Sequence, residues 1–217
     1  MTTTEENYLK CIFHLAFADG KSKEVAAQKV SERLGVKPAS VNSMLKKLKE
    51  KKTIDFQKYG KITLTELGKE KALFLIRKHR LWETFLFEKL DFAWDEVHEV
   101  AEELEHIHSQ KLIHKLDEFL GFPDFDPHGH PIPKKDGKMV TLSKSLLCDI
   151  EVGKSCKMVG VKDSSAAFLQ YIVSLGIGIG DTIEVISIEP FDLSTTLKVG
   201  EKSLVVSHEF AKNVFVV

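Results

Sequence analysis

The feature that most restricts the fold is an acidic segment with two chemically opposed faces, residues 93–108, AWDEVHEVAEELEHIH. At 100° per residue, a helix over this segment places apolar side chains on one arc and histidines and glutamates on the other. Seven acidic residues and no lysine or arginine lie between positions 91 and 108. This density of like charge destabilises a helix unless solvent or a cation neutralises it. Because imidazole with carboxylate suits first-row divalent metals, the segment predicts a metal-binding helix, with a solvated acidic face as the plainer alternative.

A second segment carries the opposite charge. Residues 37–61 hold eight lysines against two acids, a local charge of +6 in a chain whose net charge is −1. Predicted helices over 3–18, 23–34 (capped by Ser22) and 38–51, followed by a hairpin turning at Tyr59 and Gly60, are typical of a winged helix-turn-helix. The second helix of the helix-turn-helix motif, over 38–51, would enter the DNA major groove. The alternative is a module that binds protein instead of DNA. The residues predicted to face DNA are Lys37, Ser40, Asn42, Ser43, Lys46, Lys47, Lys58 and Lys61.

The rest of the chain divides by its periodicity. Apolar spacing predicts a long helix over 66–90 and another over 111–120, and the aromatic residues between them favour a homodimer interface. Four of the six prolines lie in 122–133, an extended connector. From residue 142 onward, short alternating runs and one helix over 164–175 predict a small SH3-like β-barrel. The chain is therefore predicted to be multidomain and mainly α, with a winged-helix domain at 1–65, a helical metal-binding and dimerisation domain at 66–140, and the barrel at 141–217.

Several classes of protein are disfavoured. No run approaches the roughly 18 apolar residues of a membrane span, and the first residues lack a signal-peptide pattern, so no membrane partner is expected. Three scattered cysteines form neither a zinc-binding spacing nor a disulfide framework, which favours a reducing cytoplasm. No hydrolase nucleophile, Walker loop or dinucleotide fingerprint occurs, so neither an enzyme nor a small-molecule substrate is expected.

Three motifs, in this order, resemble the diphtheria-toxin-repressor family of metal-dependent transcription regulators, whose third domain is related to ferrous-transport protein A. They are TEENYLKCIF, RKHRLWETFL and VHEVAEELEHI, and DPHGHPIP and VKDSSAAFLQYI add support. The resemblance covers nearly the whole chain. It implies a repressor that binds a palindromic operator as a homodimer when a divalent metal is bound.

The resemblance also implies two metal sites per subunit. Positions matching the primary, regulatory site are Asn7, Glu102, Glu105 and His106. Positions matching the ancillary site are His79, Glu83 and His98, joined in streptococcal-type relatives by Asp126, His128 and Asp163. Three positions depart from the family pattern: Asn7 stands where members have Met or Asp, Asp126 where relatives have Cys, and Lys10 where manganese-dependent members have Glu.

The donor types predict the metal. Iron-sensing members place Cys and Met in the primary site, whereas this chain offers Glu102 and Asn7, and hard oxygens favour Mn(II), with Fe(II) as the alternative. Two rival functions remain. One is a di-iron carboxylate enzyme, because residues 103–106 and 105–108 each match its Glu-x-x-His motif, although that class needs the motif on two helices. The other is a DNA-binding module that does not respond to metal.

Overall fold

The computed structural model describes residues 1–17, 24–56 and 61–217. The chain forms two compact units. The first contains Met1–His79, Glu103–Ser109 and Pro133–Lys138. The second contains Arg80–Glu102, Gln110–Ile132 and Met139–Val217.

The N-terminal part of the first unit is a winged helix-turn-helix, as predicted. Its elements are α1 (Thr3–Phe17), α2 (Ala27–Leu34), α3 (Pro38–Glu50), β1 (Ile54–Phe56) and β2 (Ile62–Leu64). The two strands pair antiparallel, with Asp55 opposite Thr63. Apolar residues from all three helices and from the hairpin form one buried core, among them Leu9, Ile12, Val30, Leu45 and Ile62.

The second helix is shorter than its sequence pattern predicts. Val25 was expected to be helical, but its backbone exchanges two 2.8 Å hydrogen bonds with Ile62 of β2, and the helix begins only at Ala27. A β-branched residue fits this extended role, and pairing with Val25 satisfies backbone groups at the edge of the wing strand. The proposed cap Ser22 and the proposed turn at Tyr59 and Gly60 lie outside the described residues.

Three further helices follow: α4 (Glu66–Leu90), α5 (Val97–Leu104) and α6 (Gln110–Phe119). The bounds of α4 agree with the prediction, whereas α5 starts four residues later and ends four residues earlier than the predicted helix over 93–108. The expectation that Glu105 and His106 share a helix face with His98 is therefore wrong. Both residues lie in a turn after the helix.

The C-terminal part of the second unit is an antiparallel sheet of six strands, in agreement with the predicted SH3-like barrel. Its elements are β3 (Ser145–Leu146), a 3-10 turn (Leu147–Asp149), β4 (Ser155–Val161), α7 (Ala166–Leu175), β5 (Thr182–Ile188), β6 (Thr195–Val199), β7 (Lys202–Val206), α8 (His208–Ala211) and β8 (Val214–Val216). The strands of this sheet lie in the order β3-β8-β4-β5-β6-β7. Its core side chains include Met158, Leu169 and Phe210. Bulges interrupt the register of β4 and of β5. In the described ranges, no helix is long and apolar enough to cross a membrane.

Candidate metal centres and DNA-binding surface

Glu105 is a buried acid of the acidic segment, with 1% of its surface exposed. Its Oε2 atom lies 2.6 Å from the Nζ atom of Lys10 on α1 and 2.6 Å from the Nδ1 atom of His79 on α4. A buried carboxylate is tolerated only where such partners compensate for lost hydration. Because α5 ends at Leu104, Glu105 does not lie on an exposed helix face but contacts two basic groups.

The surroundings of Glu105 favour its anionic form. Burial alone would raise the pKa of this carboxyl, but the hydrogen bond from His79 and the charge of Lys10 outweigh burial and hold the pKa below its usual value of 4.5. Glu105 is therefore ionised at neutral pH and can act as a hard oxygen ligand.

His106 lies between two carboxylates. Its Nδ1 atom is 2.6 Å from Oε2 of Glu6, and its Nε2 atom is 3.7 Å from Oε1 of Glu105. His108 extends the same group, with its Nδ1 atom 3.9 Å from Oε1 of Glu6. Glu6 was not among the predicted site residues. The signal that could have found it is its spacing from Lys10, since residues four apart share a helix face.

The other two residues of the predicted primary site, Asn7 and Glu102, are exposed instead of buried. Asn7 is exposed on α1. Glu102 is also exposed, and its Oε1 atom lies 3.6 Å from the Nε2 atom of His98, one turn earlier on α5. The structure thus brings Glu105 and His106 together and places Glu102 against a residue that was predicted for the ancillary site.

Glu83 is the central acid of the predicted ancillary set. It is 3% exposed, and its Oε1 atom lies 3.2 Å from the Nδ1 atom of His98 and 3.8 Å from the Nδ1 atom of His128. His79 precedes Glu83 by four residues on the continuous helix α4, a spacing that places both side chains on one helix face. One carboxylate thus approaches imidazoles from two different segments.

His128 is held in one orientation by its neighbours. Its ring stacks on Trp94, with centroids 5.6 Å apart and planes at 11°, and its Nε2 atom lies 3.0 Å from the Trp94 carbonyl oxygen. Because a carbonyl only accepts, Nε2 carries a proton, and Nδ1 faces Glu83. Burial would lower the pKa of His128, but the hydrogen bond and charge of Glu83, with the charge of Asp126, raise the pKa above 6.5.

Asp126 adds a second buried acid beside these groups. Its Oδ1 atom accepts hydrogen bonds from the backbone amides of His128 and His130, at 2.8 and 2.9 Å. Its buried Oδ2 atom has no hydrogen-bond partner among the described residues, although the Nδ1 atom of His130 is 3.3 Å away and the Nε atom of Arg80 is 3.6 Å away. Asp126, His128 and His130 each offer a ligand atom within 4.8 Å of the others. His130 was missed, although its i, i+4 spacing from Asp126 was visible in the sequence.

The connector that carries Asp126 and His128 is bound to strand β4. The Val161 amide donates to the carbonyl oxygen of His128 at 3.0 Å. Gly129, with φ of +79°, lies so close to β4 that a Cβ atom there would overlap the carbonyl oxygen of Val159. Asp163 follows two residues after Val161, and its Oδ1 atom accepts from the Ser165 amide at 2.9 Å, just before α7. The backbone pairing thus brings the segment of Asp163 towards that of His128.

The assembled donors suit a divalent cation. They are carboxylate oxygens and imidazole nitrogens, and the buried Asp126 oxygen without a hydrogen-bond partner is the kind of atom that a cation satisfies. The Cys11 thiol belongs to the apolar core of the first unit, and burial raises its pKa, so it remains a neutral thiol. The residues present therefore fit hard or borderline metals such as Mn(II) and Fe(II).

The predicted DNA-facing residues of α3 are exposed. Val41, Leu45 and Leu48 are buried on its inner face, whereas the polar positions lie on the outer face. Lys61 is also exposed and pairs with Glu24 at 2.8 Å, and Lys58 lies outside the described residues. The exposed positions of α3 and its cap are Lys37, Ser40, Asn42, Ser43, Lys46 and Lys47.

Three family models match consecutive parts of the chain. Residues 1–62 match "Iron dependent repressor, N-terminal DNA binding domain". Residues 65–134 match "Iron dependent repressor, metal binding and dimerisation domain". Residues 146–217 match "FeoA domain".

Individual relatives match different lengths of the chain. A solved structure of a manganese-dependent transcriptional repressor in complex with manganese has a TM-score of 0.84 and 32% identity, and the match covers 98% of this chain and 99% of that one. The iron-dependent repressor IdeR of Mycobacterium tuberculosis is 29% identical over 133 residues, which are 61% of this chain and 56% of that protein. A probable metal transport system membrane protein of Chlamydia trachomatis is 46% identical over 76 residues, 35% of this chain and 17% of that protein. The chain thus spans less than two thirds of the length of both curated relatives.

Proposed function

The chain belongs to the iron-dependent repressor family, and on that premise we propose that it is a metal-dependent transcriptional repressor of metal-homeostasis genes. The resemblance inferred from the sequence motifs is confirmed. The observation that carries the proposal is the set of contacts between α1 and the turn after α5. Glu6 and Lys10 of the winged-helix domain meet His106 and Glu105 there.

These contacts connect ligand groups to the DNA-binding helix. Leu9 and Ile12 of α1 belong to the same buried core as Leu45 of α3. Because close-packed cores transmit displacement, a change in the position of α1 changes the position of α3. A divalent cation, when bound, supplies the positive charge that holds the carboxylates and imidazoles of the two segments together. It alters DNA affinity only to the extent that it binds the two arrangements of these helices unequally.

The resident metal is proposed to be Mn(II), with Fe(II) as the alternative, at two sites per subunit. Oxygen and imidazole donors support this choice, and the similar solved repressor is described as a complex with manganese. Glu105, His106, Glu102 and Asn7 are the proposed primary ligands. The proposed ancillary ligands are His79, Glu83, His98, Asp126, His128 and Asp163.

The proposed partners are double-stranded DNA and a second copy of the chain. Matches to a DNA-binding and a dimerisation domain support both. A twofold dimer fits a palindromic operator whose half-sites lie about 34 Å, one helical turn, or a multiple apart. The cytoplasm is the proposed location of this activity.

A gel shift tests the proposal. Duplexes carrying promoters of metal-uptake genes from the same genome are titrated with protein in Mn(II) and in chelator. We expect binding at least tenfold tighter with Mn(II), and equal affinity would contradict the proposal. Glu105→Ala should remove the response to metal while leaving the dimer intact by size-exclusion chromatography, so a metal-responsive Glu105→Ala protein would contradict the ligand assignment.

The rival enzyme is not supported by the geometry. The Glu-x-x-His motif of di-iron enzymes projects two ligands from one helix face. Here α5 ends at Leu104, so residues 105–108 lie beyond the helix and residues 103–106 extend past its end. The family is one of transcriptional repressors, which are not enzymes. A DNA-binding module without metal response would give the equal affinities described above.

A further inference from the structure

The two ring nitrogens of His106 face different carboxylates. Nδ1 is 2.6 Å from Oε2 of Glu6, a hydrogen-bond distance, whereas Nε2 is 3.7 Å from Oε1 of Glu105, beyond that range. His106 and Glu6 are only 13% and 15% exposed, so water competes weakly for either contact. The ring is therefore hydrogen-bonded through Nδ1, whereas Nε2 lies within ion-pair distance of Glu105 but makes no hydrogen bond to it.

The short contact defines the proton position. An ionised carboxylate only accepts hydrogen bonds, so the contact with Glu6 requires a proton on Nδ1 of His106. A neutral imidazole carries one proton, which leaves the Nε2 lone pair directed towards Oε1 of Glu105. A separation of 3.7 Å is close to that of two ligands on one ion, since each nitrogen or oxygen ligand lies about 2.0–2.2 Å from a bound zinc ion.

The other oxygen of Glu105 is already engaged. Oε2 contacts both Lys10 and His79 at 2.6 Å, which leaves Oε1 as the oxygen nearer to His106. Lys10 lies one helical turn after Glu6, so both side chains project from one face of α1. From this face Glu6 contacts Nδ1 of His106 and Lys10 contacts Oε2 of Glu105. α1 thus orients an imidazole nitrogen and a carboxylate oxygen towards the same point.

We propose that Glu6 is the positioning residue of the primary metal site: its carboxylate fixes His106 with the proton on Nδ1 and presents Nε2, together with Oε1 of Glu105, to one divalent cation. This inference rests on the proposed function. A carboxylate on the outer nitrogen of a ligand histidine raises the basicity of that ligand and fixes its orientation. It also gives α1 a link to the site through Glu6, beside the proposed ligand Asn7.

Calorimetric titration of the full chain with Mn(II) tests the role of Glu6. Glu6→Gln should weaken binding at the tighter site by about 10- to 100-fold, since loss of such a partner typically has this effect. Glu50→Gln, the same change at an exposed position of α3, is the matched control and should stay within about twofold of the natural protein. Equal affinities for Glu6→Gln and the natural protein, or an equal loss in Glu50→Gln, would overturn the proposal. Circular dichroism and size-exclusion chromatography establish that each variant is folded and dimeric.

Nitrogen-15 spectra of histidine-labelled protein separate positioning from direct ligation or mere structural support. His106 is assigned with His106→Gln. In chelator its ring should show protonated Nδ1, and with diamagnetic Zn(II) the coordinated nitrogen should be Nε2, a pattern lost in Glu6→Gln. Protonation at Nε2 in chelator, or coordination through Nδ1, would overturn the proposal. A natural protein that binds no Mn(II) or Zn(II) but shows protonated Nδ1 would contradict the proposed function separately.

Discussion

At the scale of single residues, Glu105 has a positive partner that is a side chain, Lys10, and not a bound cation. The side chain of Lys10 is 12% exposed, and its ammonium also lies 3.3 Å from the Nδ1 atom of His79. A positive group at this point repels a second cation nearby, since unit charges a few ångströms apart interact strongly away from bulk water. We therefore expect Lys10, which departs from the manganese-dependent pattern, to favour a single ion in the proposed primary site over a two-ion cluster.

Replacement of Lys10 should expose the cost of burying Glu105. Lys10→Met removes the ammonium but keeps the apolar stem, and we expect the free energy of unfolding in chelator to fall by about 1–3 kcal/mol, the penalty for removing a partner of a buried polar group. Urea denaturation measures this loss. Lys51→Met is the matched control, because Lys51 pairs with the buried Glu5 at 2.7 Å but is 47% exposed, and its loss should cost less. Equal losses in the two variants would show that burial of the Lys10 pair has no special weight.

At the scale of elements, the agreement between sequence and structure follows from how local each signal is. The pattern of α4 is uninterrupted from Glu66 to Leu90, and both ends were predicted. The acidic helix was predicted too long because tertiary contacts displace its ends. The Trp94 indole donates to the Pro127 carbonyl at 2.8 Å, which holds the first residues in a turn, and Glu105 is drawn towards Lys10 after the last turn.

The same contrast between local and tertiary signals holds for the candidate metal sites. Residue types, together with the family resemblance, identified Glu105, His106, Glu83, His98, Asp126 and His128 as candidates, but not their partners. Glu6 contacts His106 through a pairing that depends on how segments distant in sequence meet, and His130 contacts Asp126 within the irregular connector. A helical wheel cannot supply such pairings, and it also misplaced Glu105 and His106, which follow a helix end that the periodicity does not mark.

The connector packs closely against β4 at Gly129. We expect Gly129→Ala to lower the free energy of unfolding by more than the roughly 1–2 kcal/mol that a left-handed backbone costs a residue with a Cβ, because the added carbon overlaps the Val159 carbonyl. Urea denaturation of the full chain measures the change. Gly153→Ala is the matched control, since Gly153 has φ of +83° with nothing near its missing Cβ, and it should show the backbone cost alone. A Gly129→Ala protein no less stable than Gly153→Ala would contradict the close packing of the connector on β4.

At the scale of the whole molecule, charge is divided along the chain. The net charge of −1 combines a local +6 over residues 37–61 with seven acids and no lysine or arginine over residues 91–108. The basic part is folded so that the lysines of α3 are exposed, whereas Glu105 of the acidic part is buried against basic groups. Two ligands of opposite charge can therefore bind one chain without competing for the same residues.

This division predicts the salt dependence of DNA binding. Lys46 on α3 is exposed and should contact a phosphate, and each phosphate contact contributes about 0.9 to the slope of log affinity against log salt. Because a homodimer carries the substitution twice, Lys46→Ala should reduce the slope by about 1.8, measured by fluorescence anisotropy on a labelled duplex in Mn(II). Lys198→Ala, which removes an exposed lysine of β6, is the matched control and should leave the slope unchanged. A reduction of about 0.9 would indicate one bound subunit and contradict the dimer, whereas an unchanged slope for Lys46→Ala would contradict the placement of α3 on the duplex.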